Sequence, residues 1–139
     1  MPFHPYLFFG GNCREAFTRY HEIFGGDLTV LTMGDVPDGG DDVPPEQKDM
    51  VIHAALVADE FLLMGSDDPT DPTFGPVQGM MVTYSSPDVA ESERAFAALV
   101  ADGGEVTQEL QTTFFSPAFG LCRDRFGTPW MVTTDQDAG

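Results

Sequence analysis

Apolar and polar positions alternate along this chain in a pattern that occurs twice. PYLFF is a short apolar-aromatic run closed by Gly10 and Gly11, which predicts a buried strand leaving its sheet at a tight turn. Ala16, Phe17, Tyr20, Ile23 and Phe24 then recur at helical spacing. Asn12 stands where a side-chain oxygen accepts from the first free helix amides, and Glu15 completes an N-x-x-E capping box. Gly25 and Gly26 stop the helix, since glycine takes the left-handed cap without a Cβ clash. DLTVLTM reads as the next strand. Residues 50–66, MVIHAALVADEFLLMGS, read as a hairpin of two strands buried largely on both faces and turning at Ala58, Asp59 and Glu60.

The second half follows the same order. GMMVTYSS predicts a strand, and a helix from about Pro87 to Asp102 carries Val89, Phe96, Leu99 and Val100 on one face, with Gly103 and Gly104 ending it. EVTQEL, FGLCR and PWMVTT predict three more strands, the last two a hairpin joined by DRFGT. Each half is therefore βαβββ. The two GG stops lie 103 minus 25, or 78, residues apart, so the period exceeds half the chain and points to duplication rather than to a solenoid. The organisation expected is one α+β domain of module 1 (about 3–66), a linker (about 67–78) rich in Pro, Asp and Gly, and module 2 (about 79–135). Residues 34–49, GDVPDGGDDVPPEQKD, read as a long loop inside module 1.

Charge narrows the partners. Six Lys plus Arg against 23 Asp plus Glu give a formal net charge of -17, which repels nucleic-acid phosphates and anionic lipid headgroups. Neither nucleic acid nor membrane is expected as a partner, and one reading of the acidic surface is adaptation to salt. Cys13 and Cys122 follow no zinc or redox spacing, so a reducing compartment is the default. The N-terminal MPFHPYLFF has no basic region or long apolar run, and a cytoplasmic location is expected.

Few side chains suggest chemistry. Strand alternation puts His53 on one face with Val51, Ala55 and Val57, where an imidazole serves as acid, base, ligand or donor, or else as a satisfied structural residue. His21 falls on the solvent side of its helix. Asp67 and Asp68 follow Gly65 and Ser66, where a carboxylate either faces a site or caps a turn, and Asp124 in DRFGTPW reads as a turn residue bonding local amides. Tyr6, Phe114, Trp130 and Met64 are the expected lining of an apolar small-molecule pocket. No nucleophile elbow or glycine-rich phosphate cradle opens a parallel βαβ series.

PYLFFGGNCREAFTRYHEIFGG, HAALVADEFLLMGSD and QTTFFSPAFGLCRDRFGTPWMV together resemble three successive signatures of PhnB-like proteins in the vicinal-oxygen-chelate (glyoxalase, bleomycin resistance, dioxygenase) superfamily. The resemblance covers about Phe3 to Thr134. It implies paired βαβββ modules curling into a cup, a homodimer, and in metal-using members a divalent ion held by side chains from both modules to polarise vicinal substrate oxygens. The usual ligand places fall near Pro5, at Met64 to Asp67, at Gln78 to Met80 and near Met131, where only Asp67 and Gln78 offer oxygen. No cofactor is therefore expected, and the protein reads as a small-molecule binder without the usual metal. The alternatives are a metal-dependent lyase, isomerase or dioxygenase using Ni, Zn, Mn or Fe on His53, Asp67 and His4, and a sequestration or resistance protein without turnover. Family members labelled as ubiquinone-pathway methyltransferases would need an adenosyl-cofactor fold for which the sequence gives no sign.

Overall fold

Buried helix stripes and alternating strands settle into two compact units in this computed structural model, one up to residue 74 and one from residue 75. The structure describes residues 4–35, 48–67 and 78–135.

In the first unit, β1 (Tyr6–Phe9) leads into α1 (Cys13–Phe24), followed by β2 (Asp27–Thr32), β3 (Val51–Ala58) and β4 (Phe61–Asp67). The sheet order is β1-β4-β3-β2, with β1 parallel to β4 and the other pairs antiparallel. Period-two alternation divides the sheet. Leu7, Phe9, Ala54, Leu56 and Leu63 are buried together with Ala16, Phe17, Tyr20 and Ile23 of α1. Phe17 stacks edge-on with both Phe9 and Tyr20, and complete burial of each such ring contributes roughly 2–3 kcal/mol. Gly65 makes this approach possible, since a Cβ there would lie 2.7 Å from both the Phe17 ring and the Leu7 carbonyl oxygen.

Three sequence expectations change here. Asn12 occupies the N-cap position but makes no side-chain capping bond. Asp67 takes that role from 54 residues away, because it ends β4 directly beneath the helix start. Of the two hairpin strands, β4 exposes no residue and is buried on both faces at Gly65, Ser66 and Asp67, whereas β3 is not buried on both faces. β3 alternates, and its face away from α1 leaves His53 and Ala55 half-buried and Val57 exposed. Val51 leaves that row and is fully buried, since a bulge between Leu31 and Thr32 shifts the β2–β3 register. At the far end of α1 the glycine stop holds, with Gly25 and Gly26 at φ 73° and 88°. The stem of the 34–49 loop is closed by bonds from Met33 N to Met50 O and from Gly34 N to Lys48 O, and residues 36–47 lie outside the described residues.

The second unit repeats the order with β5 (Val82–Ser86), α2 (Val89–Val100), β6 (Glu105–Gln111), β7 (Phe119–Arg123) and β8 (Pro129–Thr134), in the sheet order β5-β8-β7-β6. α2 is shorter than expected. The Asp88 side chain caps it by accepting from Glu91 N at 2.8 Å, and its buried face is Ser92, Ala95, Phe96 and Leu99, with Val89 exposed. It ends at Val100, ahead of Asp102 and Gly103 in the positive-φ region. Ser92 bonds Ser86 and Thr134 in a buried hydroxyl chain, which ties the helix to both parallel strands. Both units thus share one plan, the α+β arrangement of glyoxalase-like folds. No helix among the described residues is long and apolar enough to cross a membrane.

Candidate functional site

On the first unit's open face, the one turned away from α1, the parallel pairing sets Tyr6 opposite Met64, and the antiparallel pairing sets Ala55 opposite Met64 and Leu31 opposite His53. Tyr6 reaches across β4. Its Oη lies 3.2 Å from His53 Nδ1, with the two rings 5.8 Å apart and the Phe8 ring 5.3 Å from that of Tyr6. In either imidazole tautomer this pair presents one donor and one acceptor outward: Tyr6 donates and leaves the other ring nitrogen protonated, or His53 donates and leaves the phenol hydrogen free. Phe8, Leu31, Ala55 and Met64 around the pair are apolar, and the register adds the hydroxyl residues Ser66 and Thr29 to the same face. Among the described residues, the charged side chain that alternation puts on this face is Asp27, at the far end of β2 opposite Val57.

Asp67 is not part of this group. It is 5% exposed on the helix side, its Oδ1 accepting from Gly11 N and Cys13 N at 3.0 Å and its Oδ2 from Val51 N at 3.1 Å. The carboxylate expected to face a site, or to hold a metal in the alternative reading, is committed to backbone amides, and β4 separates its face from that of His53. Asp68 lies outside the described residues. His4 is exposed ahead of β1.

The second-unit candidates separate in the same way. Trp130 is 3% exposed and faces the α2 side, donating from Nε1 to Asp124 Oδ2 at 2.8 Å, so it lines the core and not an open face. Asp124 Oδ1 also accepts from Phe126 N and Thr128 N, the turn role its motif suggests. Phe114 is 94% exposed at the tip of a loop whose Thr113 hydroxyl accepts from Phe115 N and Ser116 N, and it stacks edge-on against Phe115. On this unit's open face the register sets Thr83 opposite Met131, the counterparts of Tyr6 and Met64. Burial pushes both the Cys13 and the Cys122 thiols up to about 12, the charges of Asp67 and Asp124 adding to it, which disfavours the thiolate form of each.

The profile of the family described as 3-demethylubiquinone-9 3-methyltransferase matches residues 2–133. The chain belongs to that family, the PhnB-like proteins. Protein YjdN of Escherichia coli (strain K12) is 30% identical over 95% of this chain and 94% of its own. The crystal structure of protein PA1353 from Pseudomonas aeruginosa matches 99% of both chains with a TM-score of 0.85 and 42% identity. A PhnB protein from Bacillus cereus, titled a putative 3-demethylubiquinone-9 3-methyltransferase, shares the fold over 96% of this chain and 99% of its own (TM-score 0.75, 22% identity). A glyoxalase/bleomycin resistance protein/dioxygenase family enzyme from Burkholderia phytofirmans does so over 94% and 95% (TM-score 0.63, 9% identity).

Two groups implied by the PhnB-like family can be tested against these side chains. A divalent ion needs several carboxylates or imidazoles, whereas the in-register open-face pairs supply a phenol with a thioether in one unit and a hydroxyl with a thioether in the other. The imidazole beside them in the first unit is His53 alone among the described residues. Among the described residues no three His, Cys, Asp or Glu side chains come together. An adenosyl methyl donor does not fit either. Among the described residues the glycine-rich helix entrance is the turn before α1, and the Asp67 carboxylate already takes its Gly11 and Cys13 amides.

Proposed function

We propose that this PhnB-like protein binds a small, neutral organic molecule on the open face of its first unit, with His53 and Tyr6 as the polar anchor, and that it does so without the superfamily's divalent ion. The observation carrying this reading is the Tyr6–His53 hydrogen bond in a largely apolar, nearly uncharged setting. A donor and an acceptor side by side suit a hydroxyl, which needs both. The homodimer and the cytoplasmic location implied by the family resemblance and by two unpaired thiols belong to the same proposal. Binding without turnover is the second reading, favoured because Asp67 and both thiols are unavailable as partners for His53.

The test uses 2-naphthol and 2-methoxynaphthalene as fluorescent probes of wild type and His53→Ala. Loss of His53 should weaken 2-naphthol about tenfold while changing 2-methoxynaphthalene far less, since a hydrogen bond made only to the hydroxyl is worth about that much. Equal affinities of both proteins for 2-naphthol would remove His53 from the site. Elemental analysis of untagged protein, with melting scans against Ni, Zn, Mn and Fe(II), addresses the ion. A stoichiometric metal with a large rise in melting temperature would overturn the metal-free reading.

A further inference from the structure

We propose that Ala55 determines which ligands the first unit admits: its short side chain leaves a seat for one flat ring, and the ligand class is a neutral hydroxyarene whose hydroxyl meets His53 and Tyr6. This rests on the binding reading above and adds the shape and chemistry of the occupant.

Ala55 sits at the middle of the open face. Along β3 it is flanked on that face by His53 and Val57, and across the sheet by Thr29 of β2 and Met64 of β4, with Tyr6 beyond. All five are larger, so the face dips at Ala55, whose surface stays partly accessible although its strand is interior to the sheet. The dip is not imposed by the fold. Ala54, its neighbour in sequence, is fully buried on the α1 side, where close packing accounts for a small residue, whereas no element covers Ala55 within the described part of this unit. Alanine is also a poor strand former, and a larger aliphatic would pair better with Met64.

The duplication supplies an internal comparison. Leu121 lies opposite Met131 as Ala55 lies opposite Met64, and both thioether strands pair in parallel with the first strand of their unit. The same sheet position is filled in one unit and empty in the other. One edge of the empty position is the His53–Tyr6 pair, which presents a donor and an acceptor without formal charge. Apart from the Thr29 hydroxyl, the rest is hydrocarbon and thioether from Val57 and Met64, which suits a ring. A net charge of -17 disfavours the anionic members of that class.

Ala55→Gly, Ala55→Val and Ala55→Leu, titrated with 2-naphthol and 2-methoxynaphthalene at neutral pH, test this. Affinity for both probes should fall in step from Gly or Ala through Val to Leu, by about tenfold or more at Leu, with melting temperature maintained or raised. Loss for both probes distinguishes the ring seat from His53, whose removal affects the hydroxyl probe. A folded Ala55→Leu that binds like wild type overturns the seat and leaves the His53 reading standing. Should that variant not fold, the Ala55→Val step decides in the same sense. No saturable binding of either probe by wild type overturns both.

Discussion

Asp67 and His53 show how differently two candidate residues can stand once the chain is folded. Asp67 satisfies three buried or part-buried amides belonging to the turn before α1, the first residue of that helix and the first of β3, so its carboxylate joins three segments. Replacing it by Asn halves the acceptor capacity, and each orphaned amide costs about 1–3 kcal/mol where water cannot reach it. Asp67→Asn should therefore lower stability by ~2–4 kcal/mol in urea unfolding, whereas His53→Ala, on a half-exposed face, should cost less than ~1 kcal/mol. An unchanged unfolding midpoint for Asp67→Asn would show that the three bonds do not hold the start of α1. His53 was legible in the sequence because alternation alone assigns its face. Its pairing with Tyr6 was not, since the contact crosses an intervening strand and depends on two registers set by residues 47 apart. Asp67 followed Gly65 and Ser66 like a turn residue, and nothing local announced donors 54 and 56 positions upstream.

At the scale of elements, the two helix–sheet contacts depend on small residues at different strands. Gly65 lies under Phe17 in the first unit, while in the second Gly120 of β7 lies under Phe96, where a Cβ would be 2.8 Å from the ring. A methyl at Gly65 would meet both a ring and a backbone carbonyl, and the carbonyl cannot move without disturbing β1, so Gly65→Ala should cost ~2–4 kcal/mol and expose Phe17. Gly65→Ala combined with Phe17→Leu should recover part of that loss, because Leu removes the ring edge. A double variant no more stable than Gly65→Ala alone would mean that the Leu7 carbonyl dominates. These elements were readable in kind and order from periodicity and glycine stops. Their edges and buried faces were less so: α2 buries Ser92, whose hydroxyl finds two partners at long range, and leaves out Val89, which apolar character alone would have placed inside.

For the whole molecule the dominant quantity is charge. Six basic residues cannot balance 23 acidic ones, and the ion pairs Arg19–Glu22, Arg94–Glu91 and Arg125–Asp102 engage basic groups that are already scarce. Folding gathers the remaining carboxylates onto one surface, which costs free energy through self-repulsion that mobile ions reduce. The screening length falls from about 10 Å at 0.1 M salt to about 3 Å at 1 M. Melting temperature should accordingly rise by several degrees between low salt and ~0.5 M NaCl and then flatten, KCl giving the same curve. A rise that continues linearly beyond 1 M, and is steeper in sulfate at matched ionic strength, would instead assign the effect to strengthened apolar burial. The same screening separates ligand from scaffold. A neutral hydroxyarene seated at Ala55 should bind with an affinity that hardly changes over this salt range, while an anionic analogue such as 2-naphthoate should bind weakly at low salt and gain as repulsion is screened. If 2-naphthoate instead binds best at low salt, the field at the open face is locally positive, and the preference for neutral ligands would fall with it.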